Sequence, residues 1–226
     1  MGKILKQNEK GSLIVVSGPS GCGKGTIISE FLNEYKNAHL SISCTTRSPR
    51  KGDVDGETYY FLTRDEFEKR IADGDFLEYA EYNNNYYGTP KSNIEELLSK
   101  GTDVLLEIEV QGALKVKELV PEAICIFIMP PSMKELKKRL VGRGTESKEK
   151  VLGRFKTAYQ EINEVTRYNY VVTNDEVSNA VLKMKSIILS EKCRVDRIEE
   201  VYLNNEEEEI HELLMDEDFV NKDIEI

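Results

Sequence analysis

One junction constrains this chain more than any other stretch. Ser12-Leu13-Ile14-Val15-Val16-Ser17 is a short, β-branched apolar run that stops at Gly18, and helical spacing starts soon after it. Apolar residues without alternation suit a strand covered on both faces, as in a parallel sheet. Ile27, Ile28, Phe31, Leu32 and Tyr35 then recur with the period of an amphipathic helix. Between strand and helix lies Gly18-Pro19-Ser20-Gly21-Cys22-Gly23-Lys24-Gly25-Thr26. Glycines let a backbone approach a ligand closely. Successive amides can then surround phosphate oxygens, with the positive end of the next helix behind them. Lys24 adds a mobile full charge at the β- and γ-phosphates. The strict phosphate-loop pattern wants Ser or Thr directly after the lysine, where this chain has Gly25. Thr26 comes one residue later, so the hydroxyl nearest a magnesium ion stays open. Cys22 reads as a spectator thiol, because neither His39 nor His211 is near it in sequence.

Further strand-like runs follow at Leu40–Thr45, Val104–Ile108, Ile124–Met129 and Tyr170–Thr173, with helical patterns at Thr89–Lys100, Ser132–Gly142 and Asp175–Cys193. Pro90 suits a first helical position, Gly101 a helix end, and Ser132-Met133-Lys134-Glu135 a capping box. Strands alternating with helices predict an α/β fold around a five-stranded, largely parallel sheet. The run from Arg47 to Gly88 interrupts that alternation with polar residues and tyrosines, as an inserted subdomain would. The 226 residues, 39% hydrophobic and 32% charged, suit one medium domain with a tail and exclude collagen-like or wholly disordered chains. The longest apolar run, Ala123–Met129, is far too short to span a bilayer, and the start resembles no secretory signal. Four irregularly spaced cysteines (Cys22, Cys44, Cys125, Cys193) read as free thiols, so a cytoplasmic globular protein is expected.

The net charge of −10 is unevenly spread. From Glu199 to Ile226 there are 12 acidic residues and one basic residue, which leaves 29 of the 41 acidic and 30 of the 31 basic residues in the body. An acidic tail on a nearly neutral body does not argue against an anionic substrate. Its block Glu206–Glu209 is expected to stay solvated or to form a short exposed helix.

The insertion holds candidate acceptor groups. Arg47 and Arg50, in Thr45-Thr46-Arg47-Ser48-Pro49-Arg50, form a compact guanidinium pair suited to gripping a phosphate. Tyr59, Tyr86 and Tyr87 offer phenol donors and stacking faces, and Glu78 follows apolar Phe76-Leu77, where a carboxylate needs a partner. Singly, each also fits an ordinary surface or core residue. Together they carry a resemblance. With the phosphate loop, the segments 43–50 (SCTTRSPR), 52–59 (GDVDGETY), 85–89 (NYYGT) and 107–112 (EIEVQG) make the chain similar to guanylate kinases from about Gly11 to Arg197.

The resemblance implies a P-loop kinase domain over 11–197, a GMP-binding insertion at about 43–89, a mobile lid at about 139–157, and an acidic tail over 198–226. It implies that Ser43 and Glu78 read guanine, and that Arg47, Arg50, Tyr59 and Tyr87 hold the GMP phosphate with Thr89 beside them. Many members carry Asp-Ile-Asp where this chain has Glu107-Ile108-Glu109. By analogy Glu107 lies near the metal's water shell, with Thr26, and Glu109 near the acceptor nucleoside. Asn174 marks the region near the ATP base, although a helix cap by Asp175 explains that segment almost equally well. Arg139, Arg143 and Arg154 bracket glycines suited to a hinged lid, and the first two stand one helical turn apart. The implied reaction is MgATP + GMP giving MgADP + GDP, on small-molecule substrates, with no nucleic acid or membrane involved. A non-catalytic relative that recognises phosphorylated peptides would not need Lys24, the glycine loop or the lid arginines. A kinase for another monophosphate would not need Ser43 with Glu78.

Overall fold

The structure is a computed structural model that describes residues 5–7, 10–50, 52–82, 84–142 and 148–201. The chain divides into two units, Glu9–Glu191 and the pairing of Met1–Asn8 with Lys192–Ile226. In chain order the elements begin with β1 (Leu5–Gln7), β2 (Leu13–Ser17), α1 (Lys24–Glu34), β3 (Ala38–Leu40), β4 (Cys44–Thr45) and β5 (Tyr60–Phe61). Next come α2 (Arg64–Ala72), β6 (Phe76–Tyr82), β7 (Asn85–Pro90), α3 (Lys91–Ser99), β8 (Asp103–Glu107) and α4 (Val110–Leu119). The series ends with β9 (Ile124–Met129), α5 (Met133–Val141), α6 (Lys148–Asn163), β10 (Tyr170–Thr173), α7 (Val177–Lys192) and β11 (Ile198–Val201).

The larger unit is built on a parallel sheet of order β10-β9-β2-β8-β3. Its central strand, β2, explains why the sequence reads as continuous apolar residues. Ile14 and Val16 pack on one face with Ile28, Phe31, Leu105 and Ile126. Leu13 and Val15 pack on the other with Ile94, Val104, Leu106 and Val116. All five β2 residues are buried. Each buried aliphatic side chain contributes about 1.5–3 kcal/mol, so neither face tolerates alternation with polar residues. Asp103 ties the edge of this core together, accepting from the Ser12 amide and the Tyr35 hydroxyl, both at 2.8 Å.

A second sheet, of order β5-β4-β7-β6, forms the inserted part. β6 and β7 are an antiparallel pair, and α2 covers the sheet through Phe67, which stacks on Phe76 and Tyr86. α2 carries a complete capping box, Thr63 with Glu66. The smaller unit contains the antiparallel pair β1–β11, so the acidic segment begins in a strand. Glu206–Glu209 lie outside the described residues.

Two local expectations are corrected. The run Leu40–Thr45 is not one strand: β3 ends at Leu40 in the core sheet, and β4 starts at Cys44 in the inserted sheet. Ser41 and Ser43 lie at the crossing: the Ser41 amide still donates to the Leu105 carbonyl of β8 at 2.8 Å, and the Ser43 carbonyl already accepts from the Tyr60 amide of β5 at 2.9 Å. Pro90 is the N-cap of α3, with extended ψ of 136°, because it still closes β7.

Candidate active site

The C-terminal ends of the parallel strands carry the chemistry, as expected of an open α/β sheet. Leaving β2, the chain turns at Gly18 with φ of 142°. A Cβ there would lie 2.3 Å from the Ile128 carbonyl oxygen, so only glycine lets the loop pass over β9. Gly23 caps α1 from the left-handed region, with no side-chain cap and no acidic residue in the first helical turn. The amides at this helix end therefore stay available for an anion. The Lys24 ammonium donates to the Gly18 carbonyl at 2.5 Å and the Pro19 carbonyl at 3.3 Å.

Above the loop opens a cavity of about 360 Å³. Gly18, Ser20 and Lys24 of the loop line it together with Ser43, Arg50, Tyr59, Glu78 and Tyr87 of the inserted part and the segment leading into it. Glu107, Glu109, Arg154 and Glu161 complete the wall. Glu78 is 7% exposed. One of its carboxylate oxygens accepts from the Thr89 hydroxyl at 2.7 Å. The other lies so close to Gly112 that a Cβ there would be 2.9 Å away. Burial pushes the Glu78 carboxyl up, against the Thr89 hydrogen bond. Glu109 accepts from the Gln111 and Gly112 amides at 2.8 and 2.6 Å, and so caps α4. Glu107 projects from the end of β8 into the open cleft; desolvation by the surrounding protein raises its carboxyl and nearby Lys24 lowers it.

The remaining sequence-derived residues fall into distinct places. Arg154 donates to the Ser20 hydroxyl at 2.7 Å. Arg139 is not part of the cavity wall. It donates to the Cys22 carbonyl and to the Asn174 carbonyl, both at 3.2 Å. The Asn174 amide group also reaches the Cys22 carbonyl, at 2.7 Å, so both residues brace the loop from behind. Cys22 is fully buried and burial raises its thiol, which suits a spectator. Gly21 packs beneath Leu140, Gly25 faces Glu107, and Thr26 is exposed on α1. Arg47 is also absent from the wall: it pairs with Asp53 at 2.9 Å beside the Tyr59 ring. Arg143 lies outside the described residues.

Sequence reading missed Glu161, Thr157 and Gly112. Arg154, Thr157 and Glu161 follow i, i+3, i+7 spacing, so they form one polar stripe of α6 along the cavity. Glu161 has a buried oxygen without a hydrogen-bond partner among the described residues, and burial raises its carboxyl.

The family profile described as guanylate kinase matches residues 10–191. The chain belongs to the guanylate kinase family. A guanylate kinase of Clostridium perfringens (strain 13 / Type A) is 56% identical over 216 residues, 96% of this chain and 100% of the relative. One from Clostridium tetani (strain Massachusetts / E88) is 57% identical over 208 residues, 92% of this chain and 100% of the relative. The crystal structure of guanylate kinase from Anaplasma phagocytophilum matches with a TM-score of 0.73 and 32% identity, covering 96% of this chain and 99% of that one. The guanylate kinase match spans both the loop around Lys24 and the inserted sheet. No helix among the described residues is long and apolar enough to cross a membrane.

Proposed function

We propose that the chain transfers the γ-phosphoryl group of ATP to GMP, giving ADP and GDP, in purine nucleotide metabolism and recycling of GMP in the cytoplasm. The observation that carries this reading is the shared cavity, lined both by the Lys24 loop and by buried Glu78, whose carboxylate Thr89 holds. Guanine presents its N1–H and exocyclic amine as adjacent donors, and one ionised carboxylate accepts both. Adenine has no such donor pair and would leave Glu78 buried and badly matched, which costs far more than a poor fit. Ser43, which also lines the cavity, serves the base; Arg47, Arg50, Tyr59 and Tyr87 serve the acceptor phosphate, with Thr89 orienting Glu78 and Glu109 near the nucleoside.

An oxygen of the GMP phosphate attacks the γ-phosphorus in line, and the bond to the β,γ-bridging oxygen breaks, leaving ADP. That oxygen is already ionised near neutral pH, so the step requires no general base. The barrier comes from bringing two polyanions together and from charge on the migrating group. Lys24 and the loop's backbone N–H groups counter it on the donor side, Arg139 on α5 and Arg154 on α6 add guanidinium charge beside the loop, and Arg143 joins them in the lid that the family resemblance implies. Asn174 and Arg139 hold the loop's Cys22 carbonyl, which keeps the amides turned toward phosphate. Lid closure excludes the water that would otherwise compete with GMP.

Magnesium accompanies ATP in this reading. The donor set fits an ion bound mainly through water and phosphate: Glu107 faces Gly25 near Lys24, Thr26 is exposed next in the chain, and no group of three metal-ligating side chains occurs among the described residues. Glu107 and Thr26 would hold it through water, and bound there it neutralises charge on the β- and γ-phosphates.

The test is steady-state phosphorylation of GMP and AMP by ATP, with a phosphopeptide pulldown alongside. GDP formation far above ADP formation from AMP is expected. A folded sample that makes no GDP, or that only captures phosphopeptide, overturns the reading.

A further inference from the structure

Arg47 and Arg50 lead into a surface turn whose geometry rests on one carboxylate. Asp53 Oδ2 accepts from the Arg50 amide at 2.7 Å and from Arg47 Nη2 at 2.9 Å. The Asp53 amide in turn donates to the Arg50 carbonyl at 3.0 Å, so Arg50 and Asp53 close the loop reciprocally. Arg47 is 12% exposed in its side chain and Asp53 17%, which makes this a well-covered pair rather than a solvated surface contact. The other edge of the guanidinium is steered too: Nη1 donates to the Ser48 carbonyl at 2.8 Å, and the ring faces of Tyr59 and Phe61 lie 5.3 and 5.7 Å from its carbon. Tyr59 itself lines the cavity, edge-on to Tyr87. Arg47 is thus held beside the Tyr59 ring by a group that the transfer step does not use.

We infer that Asp53 is a positioning residue for the acceptor phosphate: it fixes the Arg47 guanidinium and the Arg50 turn before GMP arrives. The inference rests on the proposed function, because it takes Arg47 and Arg50 as the grip on GMP. Hydrogen bonds from the Arg50 amide and Arg47 also hold the Asp53 carboxyl below its ordinary value, so the bridge is charged throughout the neutral range. A flexible arginine loses side-chain freedom when it binds an anion; a pre-placed one has already lost it.

The experiment compares Asp53→Asn, Arg47→Ala and the double variant with the parent, measuring KM for GMP, KM for ATP, kcat and thermal melting. Asparagine keeps an oxygen for the Arg50 amide and removes the charge facing Arg47. Expected for Asp53→Asn is a rise in KM for GMP of about tenfold or more, the scale of one charge-assisted hydrogen bond. KM for ATP and the melting temperature stay near the parent values. In the Arg47→Ala background the same change adds little, because Asp53 acts through Arg47. An unchanged or lowered KM for GMP in Asp53→Asn overturns the inference, as does a full additional loss in the double variant. A parent protein inactive on GMP instead sinks the functional reading, which separates the two failures.

Discussion

Gly112 offers the sharpest test of the acceptor site, because its replacement sets local helix stability against recognition. Alanine at 112 places a Cβ 2.9 Å from one Glu78 oxygen, 3.3 Å from a Glu109 oxygen and 3.4 Å from the Glu78 carboxyl carbon. Retreat to an ordinary contact of 3.4 Å moves the Glu78 oxygen by about 0.5 Å. The carboxylate is tethered on its far side by Thr89 at 2.7 Å, so that motion disturbs the one hydrogen bond that orients it. Losing a charge-assisted bond of this kind is worth about 1.5 kcal/mol, close to tenfold. Gly112 is also inside the first turn of α4, where alanine stabilises a helix by about 0.5–1 kcal/mol over glycine. The two effects fall on different observables. Gly112→Ala is expected to lower kcat/KM for GMP about tenfold while KM for ATP moves by less than about twofold. Calorimetric melting should stay within a few degrees of the parent. Steady-state rates with GMP varied at saturating ATP, then the reverse, read the split. An unchanged GMP term alongside a normal melt refutes the claim that clearance at Gly112 places Glu78, and an equal fall in both substrates means that α4 itself was displaced.

Three further outcomes follow from the same geometry. Glu78→Gln removes the charge that accepts both guanine donors and lowers kcat/KM for GMP about a hundredfold, with AMP little affected, in a two-acceptor rate comparison; an unchanged ratio removes Glu78 from the role. Asn174→Ala takes away the 2.7 Å bond to the Cys22 carbonyl, costing about 1–2 kcal/mol and a few degrees of melting temperature, with KM rising more for ATP than for GMP; a selective GMP effect contradicts the bracing role. Burial raises the Glu161 carboxyl above its unfolded value, so folding favours its protonated form and its charge costs stability as pH rises through the raised value. Glu161→Gln therefore melts higher than the parent at pH 8, and the gap closes as pH falls; a gap that widens toward acid has the wrong sign.

Legibility in the sequence followed the strength of local patterns. Ile124–Met129 emerges with the bounds expected, because a buried parallel strand is an unbroken apolar run; Tyr170–Thr173 keeps its bounds too, although it is the edge strand and leaves Val171 exposed. The switch from the β2 run to helical spacing placed the phosphate loop directly. The inserted sheet was visible only as an interruption, since β4 and β5 have two residues each and α2 buries Phe67 alone. α4 was hidden because its first turn is spent on the Glu109 cap and Gly112, and reads as a motif rather than a helix. Arg47, Arg50, Tyr59, Tyr87 and Glu78 stood out as candidate groups from the residues themselves, and their roles, with Ser43 and Thr89, came through the family resemblance, whereas Glu161 and Asp53 needed coordinates. One is a lone acid two helical turns from Arg154, the other a carboxylate whose partners lie three and six residues back.

The two carbonyls under the Lys24 ammonium have a consequence for which anions the loop will accept. The cation is solvated in part by these peptide dipoles. An incoming oxyanion must therefore outbid those dipoles, not bulk solvent, for the ammonium. A chain of linked phosphates does so with several charges at once. The loop's own backbone thus sets how strongly an oxyanion must attract the ammonium before it lets go of those carbonyls.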